Sequence, residues 1–142
     1  MTVERDQQLK DLDFTLTPFK QGRWKTYTHE NGLAADQVFC VFQAADGVLW
    51  FGTSKGVSRF DGRTFTSPSA EDGLPVGAVE AIEEDSEGRM WMAGESGLVR
   101  YDPKAPAPRV RTFTTTDGLP AESVTALTRD KAGRLWVGTT KG

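Results

Sequence analysis

The sequence predicts an all-β protein built from several copies of one small antiparallel sheet. Three observations support this fold class. Three segments of the chain resemble one another, their elements are short and strand-like, and no window has a sustained helical period. Apolar residues make up 37% of the 142 residues and charged residues 26%, a composition that suits one ordinary domain with a buried core.

The internal repeat is clearest at its tryptophan and glycine positions. The similar segments are 31–61, 72–102 and 117–142. Trp50, Trp91 and Trp136 are spaced 41 and 45 residues apart, and Gly32, Gly73 and Gly118 repeat the same two intervals. The longer second interval contains a proline-rich run, 103–111, which fits a surface loop. The landmarks therefore predict three repeats, at about 31–71, 72–116 and 117–142.

Each repeat is expected to form a four-stranded antiparallel sheet. In the first repeat the predicted strands are 37–43, 48–53, 57–60 and 63–66, separated by short turns that contain glycine. Four short strands in about 40–45 residues are typical of a β-propeller blade. The sequence thus predicts about two and a half to three propeller blades.

The repeated residues have structural roles in such a blade. The tryptophan of the second strand is large enough to fill the wedge between two blades, so core packing is favoured over a role as a stacking platform. Small residues at one position of the innermost strand suit the crowded propeller axis; they are Cys40, Ala81 and Ala126. Gly32, Gly73 and Gly118 suit a loop position with positive φ.

The motifs resemble a known repeat. The pattern DGLP…V-x-A-[IL]-x-x-D-x-x-G-[RV]-[LM]-W, followed by [VMF]-[GA]-[TG]-x-x-G-[LV]-x-R-[YF]-D, is similar to the two-component regulator propeller repeat. The resemblance covers about residues 23–142. It implies a propeller from the sensor region of bacterial hybrid two-component systems, which typically lies on the periplasmic side.

The ends of the chain leave two interpretations open. Residues 23–28 resemble the fourth strand of a preceding blade, and the last repeat stops after its second strand. The chain is either a fragment of a longer propeller or a unit whose copies assemble into a ring. The first interpretation implies a periplasmic location, whereas the second implies a cytoplasmic one because residues 1–22 lack an apolar signal segment. These residues are expected to be a partly disordered extension, with either a short helix or disorder over 4–12.

Composition excludes several classes of partner and chemistry. A net charge of −3 and a pI near 5.2 argue against nucleic-acid binding, and no run of apolar residues is long enough for a membrane span. A single cysteine and a single histidine argue against a disulfide, a metal site or a bound cofactor. We therefore expect no metal, no cofactor, no nucleic acid and no membrane contact.

Candidate catalytic residues are better explained as structural or solvated. A solvated turn is expected for the acidic cluster of Glu83, Glu84, Asp85 and Glu87. Because adjacent strand residues point to opposite faces, neighbouring carboxylates would not converge on a catalytic site. Asp85 and Asp130 are each predicted to form hydrogen bonds with the backbone of their own turn. His29 is expected on a surface loop and Cys40 inside an apolar strand. The protein is therefore predicted not to be an enzyme.

The topology indicates one candidate binding face. In a four-stranded blade, the turn between the second and third strands lies on the same side as the loop between blades. These turns carry Lys55, Glu95 and Lys141, whose charges differ. This face is a candidate ligand-binding surface, with an unknown and, by the resemblance, glycan-derived ligand. The alternative is a structural or interaction scaffold whose partners are further blades, from a longer protein or from other copies.

Overall fold

The computed structural model describes residues 24–68 and 70–142, and these residues form three antiparallel sheets. The strands of each sheet are neighbours in sequence order. The predicted all-β fold with antiparallel four-stranded blades is confirmed. Blade 1 contains β1 (Val38–Gln43), β2 (Leu49–Thr53), β3 (Gly56–Phe60) and β4 (Phe65–Thr66); blade 2 contains β5 (Val79–Glu84), β6 (Met90–Gly94), β7 (Gly97–Tyr101) and β8 (Val110–Phe113); blade 3 contains β9 (Val124–Arg129) and β10 (Leu135–Thr139).

The prediction of a strand over residues 23–28 is wrong for the part that the structure describes. Residues 24–28 are extended but belong to no sheet. Tyr27 packs its ring against Phe65 at 5.1 Å and Phe60 at 5.6 Å. A strand forms by hydrogen-bonded pairing with a neighbouring strand, and no described strand pairs with this segment. The predicted extension, 1–22, and the alternatives for 4–12 lie outside the described residues.

The core between blades 1 and 2 surrounds Trp50, which is 5% exposed. Its ring centroid lies 6.1 Å from that of Tyr101 in blade 2. Met92 and Val79 of blade 2 and Val57 of blade 1 are fully buried in the same cluster. Trp50 therefore occupies the wedge between two adjacent sheets.

The core between blades 2 and 3 is smaller. Ala93, Leu98 and Val124 are buried there, and Trp91 packs against them while its ring stacks on Phe113 at 5.6 Å. Trp136 departs from the predicted core role, because it is 57% exposed. Its side of β10 has no adjacent sheet among the described residues, so the wedge that buries Trp50 does not exist there.

A one-turn 3₁₀ helix begins each loop that leads into a blade. These helices are His29–Asn31, Ala70–Asp72 and Thr115–Asp117. Gly32 and Gly118 end the first and third helices with φ values of 110° and 108°, and Gly73 has a φ of 79°. All three lie in the left-handed region that glycine adopts without strain.

The two ends of the sheets differ in their connections. The upper end carries the inter-blade loops 29–37, 70–78 and 115–123 together with the turns 54–55, 95–96 and 140–141. The lower end carries the hairpin turns 44–47, 85–88 and 130–133. No helix in the described part of the chain is long and apolar enough to cross a membrane.

Candidate functional site

The upper end of blade 1 contains a pocket of about 410 Å³ with three ionisable side chains. His29 and Asp36 lie in the inter-blade loop, and Lys55 lies in the turn between β2 and β3. Asp36 Oδ1 accepts hydrogen bonds from the His29 backbone N–H at 2.6 Å and lies 2.9 Å from His29 Nδ1. The topology therefore brings Lys55 into the same pocket as a histidine–carboxylate pair, an arrangement that the sequence did not predict.

The electrostatics of this pocket favour an ionised carboxylate. The hydrogen bond from the His29 backbone, followed by that from its side chain, lowers the pKa of Asp36 below its ordinary value. His29 is a surface residue, as predicted, but its ring is oriented by Asp36. The pocket thus presents one carboxylate and one lysine to solvent, a pair that can accept and donate hydrogen bonds to a polar ligand.

Blade 3 repeats this arrangement with different side chains. Thr115 and Glu122 occupy the positions of His29 and Asp36, and Thr115 Oγ1 donates to Glu122 Oε2 at 2.6 Å. Lys141 occupies the position of Lys55 and is exposed. Blades 1 and 3 therefore both combine a loop carboxylate with a turn lysine.

Blade 2 places its carboxylate on the turn instead of the loop. Glu95 Oε2 accepts a hydrogen bond from the Ala78 backbone N–H at 3.0 Å. Gly77 stands where the other blades carry Asp36 and Glu122, and a Cβ at Gly77 would lie 2.6 Å from Glu95 Oε2. Glu95 is thus held against its own loop, whereas the Lys55 and Lys141 side chains extend from theirs.

The lower end is organised by a repeated aspartate. Asp85 Oδ1 accepts from the backbone N–H groups of Glu87 and Arg89, at 2.9 and 3.0 Å, so the predicted turn bonds are confirmed. Asp85 Oδ2 accepts from Arg89 Nε at 2.7 Å and from Trp91 Nε1 at 2.8 Å. Burial acts to raise the pKa of Asp85, but these hydrogen bonds outweigh it and lower the pKa to about 2.

Asp130 makes the same contacts in blade 3. It accepts from Arg134 Nε at 2.7 Å and from Trp136 Nε1 at 2.8 Å. The sequence interpretation missed these side-chain bonds in both blades. The signal that could have found them is D-x-x-x-R-x-W in repeats 2 and 3; repeat 1 has Ala44 in place of the aspartate.

The acidic cluster of blade 2 is divided between strand and turn, rather than lying in one solvated turn. Glu83 and Glu84 belong to β5, and Glu84 Oε1 accepts from the Ala45 backbone N–H of blade 1 at 2.7 Å. Burial raises the pKa of Glu83, and Arg129 of blade 3 opposes this shift. The two strand carboxylates therefore face different neighbouring blades.

The innermost strands present small side chains at their equivalent positions. Cys40, Ala81 and Ala126 pair with Gly52, Ala93 and Gly138 of the second strands, respectively. Burial raises the pKa of the Cys40 thiol, and the Gly52 backbone opposes this only in part. Among the described residues, no group of three His, Cys, Asp or Glu side chains could hold a metal ion.

Sequence comparison identifies the repeat. A family model described as "Two component regulator propeller" matches residues 32–55, 73–96 and 118–141, together about half of the chain. The chain belongs to this propeller family. The matched segments include all three upper-end turns and all three tryptophans of the second strands. A search of curated proteins finds no match.

One solved structure supports the same fold. The propeller blades superpose on the extracellular domain of a protein described as a hybrid two component system, BT3049 of B. thetaiotaomicron, with a TM-score of 0.72 and 21% identity. The match covers 82% of this chain and 16% of that one, so the chain spans about a sixth of that domain. The extracellular domain of BT4673 from the same organism matches at 17% identity over 84% of this chain and 23% of that one, with a TM-score of 0.46.

Proposed function

We propose that these blades form part of a non-enzymatic, ligand-sensing propeller in a signal-transduction protein, and that the upper end is the sensing surface. Family membership supports the signalling role at the level of the module. The ligand is a polar molecule, glycan-derived by the family resemblance. Binding would shift an existing equilibrium between signalling states, since a ligand changes such an equilibrium by its differential affinity.

The contrast between the two ends is the observation that carries this proposal. At the lower end, Asp85 and Asp130 make the same four hydrogen bonds in blades 2 and 3. At the upper end, the turn position of Lys55 and Lys141 carries Ser96 in blade 2, and the position of Glu95 carries Ser54 and Thr140 in the other blades. The equivalent loop residues also differ. Variation at one end of a repeated scaffold is expected where blades contact different parts of a ligand.

Lys55→Ala is expected to weaken binding of an oligosaccharide by about tenfold, because a hydrogen bond from a charged donor is lost. The probe is an immobilised array of plant and microbial oligosaccharides, screened with the 142-residue chain. The strongest hit is then titrated by calorimetry against the wild type and the variant. A second variant, Asp36→Asn, keeps the shape of the loop and removes its charge.

Lys131→Ala is the matched control, because Lys131 is an exposed turn lysine at the lower end. It is expected to leave the affinity unchanged. Equal losses for Lys55→Ala and Lys131→Ala would contradict an upper-end site. An array without any hit would contradict the glycan class of ligand.

Two further features of the proposal concern catalysis and location. The inner-strand positions carry a protonated thiol and two methyl groups, which supports a binding role rather than acid–base or nucleophilic chemistry.

The family resemblance favours a location outside the cytoplasm for the sensing region. A reporter fused to the full-length protein and assayed for periplasmic activity would test that location.

Exposed apolar side chains on the outer faces of blades 1 and 3 favour a second candidate function, assembly through further blades. Val41 is 58% exposed on β1, and Trp136 is 57% exposed on β10. Such faces would be covered by sheets from the same longer protein or from another copy. Light scattering behind a sizing column decides between these sources. A discrete dimer or trimer supports assembly between copies, and a monomer excludes it.

A further inference from the structure

A cleft of about 760 Å³ opens between blades 1 and 2, between their outer strands. One wall carries Arg59 of β3 and Thr66 of β4, and the other carries Tyr101 of β7 and Thr112 of β8. Trp50 closes the inner end. This volume lies in the usual range for small-molecule sites. The cleft involves outer strands of two complete blades and none of the upper-end residues Lys55, Glu95 and Lys141.

Arg59 is the charged group that distinguishes the cleft. Its guanidinium carbon lies 5.4 Å from the centroid of the Trp50 ring, within the range of a cation–π interaction. The Arg59 side chain is half-buried and makes no hydrogen bond or ion pair with any residue that the structure describes. A partly desolvated guanidinium therefore has all five of its donors available.

No ion pair joins Arg59 to a carboxylate among residues 24–68 and 70–142, although Asp61, in the loop after β3, interacts with its charge. Glu71 and Asp72 line the cleft, and each takes part in interactions of its own. Arg109 also lines the cleft, and its Nε donates to the Ala105 carbonyl oxygen at 2.9 Å. Both arginines therefore bring positive charge to the cleft, and Arg59 is the one whose donors are not used by a described residue.

Hydroxyl groups surround this charge. The hydroxyls of Thr66, Tyr101 and Thr112 have no hydrogen-bond partner among residues 24–68 and 70–142. Thr66 is paired directly across the sheet from Arg59. The equivalent pair in blade 2 is Arg100 and Arg111, two cations. The pairing of a guanidinium with a hydroxyl on this wall is therefore not repeated at the equivalent positions of blade 2.

We propose that this cleft binds a small organic carboxylate that also carries hydroxyl groups. Its carboxylate would accept two parallel hydrogen bonds from the Arg59 fork, a geometry in which arginine is strongly favoured over lysine. Its hydroxyls would exchange hydrogen bonds with Thr66, Tyr101 and Thr112. The rings of Trp50 and Tyr101 give the cleft an apolar inner end against which a carbon skeleton can pack.

The test compares gluconate with sorbitol, which has the same chain length and a hydroxymethyl group in place of the carboxylate. Calorimetric titration of the 142-residue chain is expected to give an affinity for gluconate at least about tenfold higher than for sorbitol, since a charged hydrogen-bonded pair is present only with gluconate. Equal affinity for the two compounds, or no binding of gluconate, would overturn the proposal. Inorganic phosphate binding as tightly as gluconate would overturn the carboxylate specificity.

Variants locate the site. Arg59→Gln is expected to reduce gluconate affinity about tenfold, and Arg59→Lys to reduce it less, because the charge remains while the fork is lost. Arg63→Gln removes the same charge from an exposed loop outside the cleft and is the control. Thr112→Val changes the opposite wall without touching Arg59, and a weaker gluconate affinity is expected there too. Equal affinities of Arg59→Gln and Arg63→Gln for gluconate would exclude the cleft as the binding site.

Discussion

Replacing Trp50 by alanine is expected to lower the free energy of unfolding by about 3–5 kcal/mol, the range for deleting a large buried aromatic side chain. Trp50 is 5% exposed and packs against Met92 and Val79 of the adjacent sheet. Its removal would leave a cavity in the wedge between blades 1 and 2. Urea denaturation followed by far-UV circular dichroism measures the effect. Trp50→Phe, which keeps part of the aromatic volume, is expected to cost less.

Trp136→Ala is the matched control, because Trp136 occupies the same position of the repeat but is 57% exposed. We expect a loss below about 1 kcal/mol, since the residue buries little apolar surface. Similar losses for the two variants would contradict the assignment of Trp50 as the residue that fills the wedge. They would also indicate that Trp136 is covered in solution.

Asp85→Ala is expected to lower the free energy of unfolding by about 2–3 kcal/mol, because charge-assisted hydrogen bonds to Arg89 and Trp91 are lost. The Asp85 side chain is 9% exposed, so water replaces these bonds poorly. The equivalent Asp130→Ala is the control. It removes the same four hydrogen bonds where Arg134 is 71% exposed, and we expect a clearly smaller loss of stability because solvent screens these bonds. Equal losses in urea denaturation would show that burial does not set the strength of this motif.

The lowered pKa of Asp85 also predicts that the stability of the protein depends on pH. The folded-state pKa of Asp85 is about 2, below its ordinary value of 3.8. The ionised carboxylate therefore contributes stability above about pH 4, and this contribution is lost as the pH falls through 2. The wild type is expected to lose about 2 kcal/mol more than Asp85→Ala between pH 5 and pH 2. Parallel curves for the two proteins would contradict the assigned pKa.

Much of the candidate site could be predicted from repeat positions, but not the contacts within it. Lys55, Glu95 and Lys141 were predicted from the recurrence of one turn in each repeat, and the structure places all three in upper-end turns. Spacing could not show that Glu95 bonds the Ala78 backbone, because that contact depends on the absence of a side chain at Gly77. Nor could it show that Asp36 orients His29, since both are loop residues without periodic constraint.

The cleft between blades 1 and 2 had no sequence signal. Arg59 lies in blade 1 and Tyr101 in blade 2, and nothing in their repeat positions or their separation in the chain predicts that they line one cleft. They do so because adjacent sheets diverge towards their outer strands, which leaves space that Trp50 fills only at its inner end. This space is bordered by Pro68, Glu71 and Asp72 on one side and by Ala107, Pro108 and Arg109 on the other.

By itself, the sequence determined the elements of this protein: short strands, glycine turns with positive φ, and one sheet per repeat. These are local properties, because strand and turn propensities depend on neighbouring residues and recur whenever the motif recurs. The tertiary structure alone decided which copies of a repeated residue are buried. Trp50 and Trp136 have the same local sequence pattern, but a neighbouring sheet covers only Trp50 within the described chain. Residues 24–28 likewise resemble a strand and form none there, because strand formation requires a partner that local sequence does not provide.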